Sequence, residues 1–318
     1  MLSYIVPFIF LILVVVFIHE YGHYYFAKRY GVGVTDFSIG FGQEIFGWND
    51  KSGTRWKICW IPLGGYVKFF GDRNVFSQAD QEKLIQKYNE EDRKKLFVLK
   101  PLYQRVLIVF GGPLANFLLA LVIFFSIYTF IGKDFTPAVI NEVQKDSPAM
   151  VGGLKNNDII LEIDGNKVKS IMDVSKFIMM STDDFIDFKV KRSYDELLLK
   201  IKPNVVMGED NLGNKINKRM VGIKLGAYNN EINHIKLGPA QAIFHAANEV
   251  YYVSISSLKY IGAMIFGKAD TSQLGGPIRI AKISGQVAEF GLLAFISMMA
   301  YISISLGLIN LFPIPMLD

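Results

Sequence analysis

Three long apolar stretches dominate the pattern of hydrophobic and polar positions along the chain. They run from Leu2 to Ala27, from Leu102 to Ile131 and from Leu292 to Leu311. A helix needs about 20 apolar residues to cross the hydrocarbon core of a bilayer, so each stretch predicts a transmembrane helix. A signal peptide is disfavoured for the first stretch, because no basic segment precedes it and no small-residue cleavage site follows it.

Two segments between these stretches carry other patterns. Polar and apolar residues alternate between Gly33 and Phe70, which predicts a β-hairpin or small sheet with Gly64 and Gly65 as its turn. The segment from Ala240 to Phe266 is apolar but is interrupted by charged residues. It predicts an amphipathic helix that lies on the membrane surface.

The distribution of basic residues predicts how the chain crosses the membrane. The segment from Lys28 to Lys100 holds 13 lysines and arginines, which places it in the cytoplasm by the positive-inside rule. The soluble segment that follows the second span then lies outside the cytoplasm, and the third span returns the chain to the cytoplasmic side.

These patterns predict a multi-pass α-helical membrane protein with a membrane-associated β-sheet and an extracytoplasmic α+β domain. We expect four regions along the chain. Residues 1–132 form two spans and the sheet, residues 133–228 the α+β domain, residues 229–289 an interfacial region, and residues 290–318 the third span.

Composition narrows the range of partners. Hydrophobic residues make up 51% of the chain and the formal net charge is +5. A soluble domain rarely carries so much apolar surface, which favours a lipid bilayer as the partner. We find no compact basic face with interleaved aromatic residues, so nucleic acid is not an expected partner.

The first apolar stretch contains an HExxH motif, His19-Glu20-Tyr21-Gly22-His23. Positions i and i+4 lie on the same face of a helix, so His19 and His23 can bind one Zn²⁺. Glu20 is placed to act as general base on a water that the metal activates. Ionisable side chains inside a membrane helix are costly and mark functional sites, which makes this short motif informative here.

A catalytic zinc site usually has three protein ligands and one open position. Two other histidines, His234 and His245, follow the soluble segment and fall on the opposite side of the membrane in the predicted topology. Asp318, which follows the third apolar stretch, reaches the same depth as His19 and His23, because both helices run inward. We therefore predict Asp318 as the third ligand.

Five motifs, taken together, resemble the site-2 protease family of intramembrane zinc metalloproteases, in particular bacterial regulators of sigma-factor stress responses. They are HEYGH at 19–23, GFG at 40–42, GGYVK at 64–68, GGPLAN at 111–116 and NLFPIPMLD at 310–318. The resemblance implies zinc held by His19, His23 and Asp318, with Glu20 as the catalytic base. It also implies that Asn310 holds the substrate backbone or stabilises the oxyanion.

The resemblance further implies substrates and a location. The substrates are single-span membrane proteins, such as anti-sigma factors or signal peptide remnants, cleaved in regulated intramembrane proteolysis at a bacterial inner membrane. The run from Ser147 to Gly165 is similar to PDZ domains of bacterial proteases, which would contact substrate or a regulatory partner. A small sheet beside the zinc site offers an edge strand for an unwound substrate, and Gly64, Gly65 and Tyr66 are its candidate binding residues.

Two other functional classes also place histidines or PDZ-like domains in membrane proteins. A di-iron desaturase or hydroxylase needs many clustered histidines, and the chain has four in all. A PDZ-bearing membrane adaptor with a degenerate HExxH motif stays open as the alternative function. The sequence stops at Asp318, where the family motif continues with glycine and a fourth span, so we expect a longer natural protein.

Overall fold

The computed structural model describes residues 2–72, 85, 87–181, 183–209, 215–227, 233–267 and 276–312. It divides into two compact units. The first contains Met1–Phe124, Ala246–Ser254 and Pro277–Asp318, and the second contains Phe125–His245 and Ile255–Gly276.

The helices and strands are numbered in chain order. The helices are α1 (Leu2–Arg29), α2 (Glu90–Arg93), α3 (Leu102–Ser126), α4 (Pro148–Val151), α5 (Ile171–Met180), α6 (Pro239–Ile265), α7 (Pro277–Glu289) and α8 (Leu292–Ile309). The strands are β1 (Val34–Asn49), β2 (Arg55–Phe69), β3 (Lys133–Asp134), β4 (Ala138–Val143), β5 (Ile159–Ile163), β6 (Asn166–Lys167), β7 (Ile186–Arg192), β8 (Asp195–Ile201), β9 (Asn204–Glu209), β10 (Lys215–Met220), β11 (Ile223–Ala227) and β12 (His234–Ile235). A π-helical turn, Ile127–Ile131, extends α3.

Three helices of the described residues are long and apolar enough to cross a membrane. They cover Tyr4–Arg29, Leu102–Ile131 and Leu292–Ile309, which agrees with the three helices predicted from the sequence. Helix α6 likewise matches the amphipathic helix predicted from Ala240 to Phe266. The order and direction of crossing, and the surface location of α6, stay predictions.

Glycines bring two of these helices into close contact. A Cβ atom on Gly22 of α1 would lie 2.6 Å from the carbonyl carbon of Gly111 on α3. Because neither residue has a side chain, the two backbones touch directly, as is common where small residues face each other between membrane helices. Helix α8 packs on α1 through a core that includes Leu11, Val15 and Phe295.

The predicted sheet between the first two spans is present as β1 and β2. Strand β1 is bent, so that Asp36–Ile39 pairs with Gly65–Lys68 and also with Arg55–Ile58, while residues 44–49 pair with Arg55–Cys59. Residues 55–58 therefore have a strand on both sides. Among the described residues, 65–69 and 44–49 have a strand on one side only.

The predicted turn at Gly64 and Gly65 is wrong, because both glycines lie inside β2. The turn lies between the strands at Asp50, whose carboxylate accepts hydrogen bonds from the backbone N–H groups of Ser52 and Thr54. The two glycines instead permit close packing. A Cβ on Gly64 would lie 2.5 Å from the Phe41 ring.

The second unit contains a mixed α and β fold. Its main sheet has the strand order β11-β4-β5-β7-β8, with β6 paired to β5. The fully buried Asp158 carboxylate binds the Arg192 guanidinium through two hydrogen bonds of 2.7 Å. Helix α5 begins with a capping box formed by Ser170 and Asp173, which satisfies backbone donors at its first turn. The boundaries of the four predicted regions stay predictions.

Candidate metal centre

The HExxH residues lie together on the buried face of α1. His19 is 3% exposed, and Glu20 and His23 are each 8% exposed. One helical turn separates the two imidazoles, and their Nε2 atoms lie 3.2 Å apart. The i and i+4 spacing on a continuous helix is sufficient to produce this convergence.

Helix α3 fixes the orientation of His23. Its Nδ1 atom lies 2.8 Å from the backbone carbonyl oxygen of Ile108. A carbonyl oxygen can only accept a hydrogen bond, so Nδ1 carries the proton and Nε2 is the nitrogen with the lone pair. This is the tautomer that a metal bound at Nε2 requires.

Two asparagines contact the ring of His19 from other helices. The amide of Asn116 on α3 lies 3.1 Å from Nδ1, and the amide of Asn310 lies 2.9 Å from Nε2. Asn310 is the C-cap residue of α8. The sequence-predicted Asn310 is therefore beside the HExxH histidines.

The geometry of the two imidazoles fits a zinc ion. Two nitrogens at about 2.0–2.1 Å from a tetrahedral Zn²⁺ are about 3.3 Å from each other, close to the observed separation. Gly112 on α3 contributes the necessary space. A Cβ there would overlap Nε2 of His23 and lie 2.8 Å from Cε1 of His19.

Asp318, the predicted third ligand, lies outside the described residues. Within the parts of the chain that are described, no group of three His, Cys, Asp or Glu side chains could hold a metal. His19 and His23 stay the two predicted histidine ligands, and Asp318 stays the predicted third.

A family model for "Peptidase family M50" matches residues 7–318. The chain belongs to peptidase family M50. This is the site-2 protease family that the five sequence motifs predicted, so the chain is a membrane protein from a family of zinc metalloproteases.

Relatives of this M50 chain come from several bacteria. A protein of Agrobacterium fabrum named "Putative zinc metalloprotease Atu1380" is 40% identical over 316 residues, which cover 99% of this chain and 84% of the relative. "Metalloprotease MmpA" of Caulobacter vibrioides is 32% identical over 335 residues, covering 99% of this chain and 83% of the relative.

A solved PDZ domain also resembles part of the M50 chain. It belongs to an SdrC-like protein of Listeria monocytogenes, is 26% identical, and covers 29% of this chain and 88% of the solved domain, with a TM-score of 0.23.

The β-sheet of the M50 chain reaches the HExxH helix through Gly65. A Cβ on Gly65 would lie 3.0 Å from Cγ of Glu20 and 2.9 Å from Cγ1 of Val16, so the one-sided segment 65–69 of β2 passes directly beside the glutamate. Its neighbour Tyr66 stacks on Phe41, with the ring centroids 6.2 Å apart.

An ion pair supports this part of the sheet. The Lys57 ammonium lies 2.8 Å from the Asp36 carboxylate and 5.1 Å from the centre of the Tyr66 ring. Burial opposes ionisation of Asp36, but hydrogen bonds from Lys57 and Thr35 outweigh it and hold the pKa of that carboxyl below its usual range. Burial likewise opposes the charged form of Lys57, but its hydrogen bonds to Asp36 and Tyr66 outweigh it and raise its pKa, so the ammonium over the Tyr66 ring is charged at neutral pH.

Sequence reasoning gave no separate role to two residues of the centre, Asn116 and Gly112. Both belong to the GGPLAN motif. The structure identifies them as part of the centre because they lie in contact with the histidine rings. The sequence signal that could have found them is the spacing of Gly112 and Asn116, four residues apart in an apolar stretch. A polar amide inside such a helix needs a hydrogen-bond partner, which marks it as a candidate site residue.

Proposed function

We propose that this chain is an intramembrane zinc metalloprotease, which hydrolyses peptide bonds in the transmembrane segments of single-span membrane proteins. The observation that carries the proposal is the convergence of two imidazole Nε2 atoms beside a buried glutamate, on a helix apolar enough to cross a membrane. An adaptor with a degenerate motif would not need both His19 and His23 to be held by partners on α3.

Each residue of the proposed centre has a separate role in peptide-bond hydrolysis. His19, His23 and Asp318 would hold a zinc ion, which would supply Lewis-acid polarisation of the scissile carbonyl and a water acidic enough to attack at neutral pH. The Glu20 carboxylate accepts the proton of the attacking water and returns it to the leaving amine nitrogen. The Asn310 amide N–H groups donate hydrogen bonds to the oxyanion that develops on the scissile carbonyl.

The basic segment 28–100 supports a location in a bacterial inner membrane, with the active site near the cytoplasmic side. In that orientation the second unit contains a PDZ-like domain outside the cytoplasm, which contacts substrate or a regulatory partner. Regulated intramembrane proteolysis, for example of an anti-sigma factor or a signal peptide remnant, is the process that this arrangement serves.

The function is tested by reconstituting the purified protein in lipid vesicles with a single-span substrate. Cleavage within the span, its loss on zinc chelation and its return on adding zinc are the expected results. An apo protein that cleaves at an undiminished rate would show that the proposed chemistry is wrong.

Asp318→Ala should abolish cleavage and weaken zinc binding, because two histidines alone leave the metal short of the three protein ligands usual in catalytic sites. Zinc affinity is measured by competition with a chelator, with Asp195→Ala as the control. Asp195 lies at the start of β8 in the second unit, so its removal should leave the affinity unchanged. Tight zinc binding by Asp318→Ala would place the third ligand elsewhere.

The substrate must be extended when it is cut, because the carbonyl groups of a helix are shielded by their own hydrogen bonds. Segment 65–69 of β2 is the strand to which an extended substrate is best placed to pair. Among the described residues it has no strand on one side, whereas 55–58 is paired on both sides. Gly65 also lies against Glu20. A substrate strand added there gains backbone hydrogen bonds while its scissile bond lies near the catalytic base.

Proline substitutions test this strand addition, because proline cannot donate a backbone hydrogen bond. Neighbouring N–H groups in a strand point to opposite sides, so one of Val67→Pro and Lys68→Pro should lower turnover while zinc stays bound. Trp48→Pro and Asn49→Pro, on the other one-sided segment, serve as matched controls that keep turnover. Equal turnover in all four variants would refute addition at 65–69.

A further inference from the structure

Asn116 has a buried polar atom without a hydrogen-bond partner in the described part of the chain. The residue is fully buried within the apolar helix α3, and its Oδ1 atom receives no hydrogen bond from any described residue. A buried amide oxygen without a donor is costly and calls for an explanation. The neighbouring amide nitrogen, Nδ2, lies 3.1 Å from Nδ1 of His19.

The contacts of His19 cannot all be satisfied in that orientation. Amide nitrogens of Asn116 and Asn310 face the two ring nitrogens, Nδ1 and Nε2 respectively. A neutral imidazole accepts a hydrogen bond at only one nitrogen, so one of the two amides must present oxygen instead. The two ends of an amide are nearly indistinguishable in shape, and the choice between them follows from the hydrogen bonds.

The unpartnered oxygen identifies the amide that must be reversed. Rotating the Asn116 amide by half a turn places Oδ1 against Nδ1 of His19, so the orphan acceptor gains a donor. Nδ1 of His19 then carries the proton and Nε2 has the lone pair. Asn310 keeps its hydrogen bond, because its N–H group donates to that lone pair over 2.9 Å.

We propose that Asn116 is a positioning residue, whose side-chain oxygen accepts the Nδ1 proton of His19 and thereby holds Nε2 as the metal-binding atom. The inference rests on the proposed zinc site. Ile108 does the same for His23 through its backbone oxygen. With both Nδ1 atoms donating, two Nε2 lone pairs face each other at 3.2 Å, an arrangement that a shared cation stabilises.

The third apolar helix holds Asn116 in place. The hydroxyl of Ser303 on α8 donates a 2.9 Å hydrogen bond to the backbone oxygen of Asn116. Gly307 lies one turn further along α8. A Cβ added to it would lie 3.3 Å from the Cβ of Asn116, so the two helices are in close contact here. Helix α8 thus holds the residue whose side-chain oxygen accepts the His19 proton, Asn116, and also supplies Asn310.

Two substitutions separate this role from simple packing. Asn116→Leu keeps the size of the side chain but removes the acceptor, and it should weaken zinc binding about 10–100-fold, the usual effect of losing such a partner. Asn116→Asp restores an oxygen that accepts the same proton, so it should recover most of the affinity. Zinc affinity is measured by chelator competition, and folding by the thermal unfolding midpoint.

Ser284→Ala is the matched control. Its hydroxyl is fully buried and donates to Ile280 of its own helix, so its loss removes a buried polar group away from the histidines. Zinc affinity should not change. If Asn116→Leu binds zinc as tightly as the parent, or if Asn116→Asp is as weak as Asn116→Leu at equal thermal stability, the proposal is overturned.

A measurement on the unmodified protein covers the case in which the variants do not fold. The chain has four histidines, so ¹⁵N labelling of imidazoles gives a spectrum that can be assigned. The zinc-free protein should show His19 protonated at Nδ1, and protonation at Nε2 overturns the proposal. Failure of the parent protein to bind zinc at all would instead overturn the proposed function.

Discussion

Glu20→Gln should abolish cleavage of a membrane-spanning substrate while zinc stays bound. Glutamine has nearly the size of glutamate but cannot accept the proton of the attacking water. Removing a general base typically lowers a rate by ~10²–10⁴-fold. The metal should stay, because both histidine rings are held by groups on α3, Ile108 and Asn116, that the substitution does not touch.

Single-turnover cleavage and zinc content are the two measurements that check Glu20→Gln. Glu289→Gln, at the exposed end of α7, makes the same chemical change away from the centre and should cleave normally. Near-normal turnover by Glu20→Gln would remove glutamate from the mechanism. Loss of zinc together with activity would point to a structural or ligand role for Glu20 instead.

Gly112→Ala should lose zinc, and with it all cleavage, although the change is a single methyl group. The new Cβ would overlap Nε2 of His23 and lie 2.7 Å from its Cε1 atom. Contacts this short force a displacement, and the His23 ring cannot turn without breaking its hydrogen bond to Ile108. The imidazoles would no longer meet at the spacing that zinc requires.

The helix itself should tolerate Gly112→Ala, because alanine is more favourable than glycine in a helix interior by about 1 kcal/mol. Gly262→Ala in α6 is the control, since a Cβ there meets nothing within 4 Å. Metal content and circular dichroism separate the two effects. Retained zinc and normal cleavage in Gly112→Ala would contradict the geometry of the centre.

The sequence by itself determined the elements that depend on local pattern. Continuous apolar runs predicted the three candidate membrane helices, because length and hydrophobicity alone set the requirement for crossing a bilayer. The spacing of His19 and His23 placed both rings on one helix face, since the helical repeat fixes that relation. Alternation of polar and apolar residues predicted the β1–β2 sheet, because successive side chains of a strand point to opposite faces.

Only the tertiary structure decided which distant residues meet. Asn116 and Asn310 reach His19 across 97 and 291 positions of sequence, and that contact depends on how closely the helices pack. Gly64 and Gly65 suggested a turn, yet they lie in a strand whose neighbours leave no room for side chains. A glycine has the same sequence signal whether it permits a turn or a close approach, so packing alone distinguishes the two.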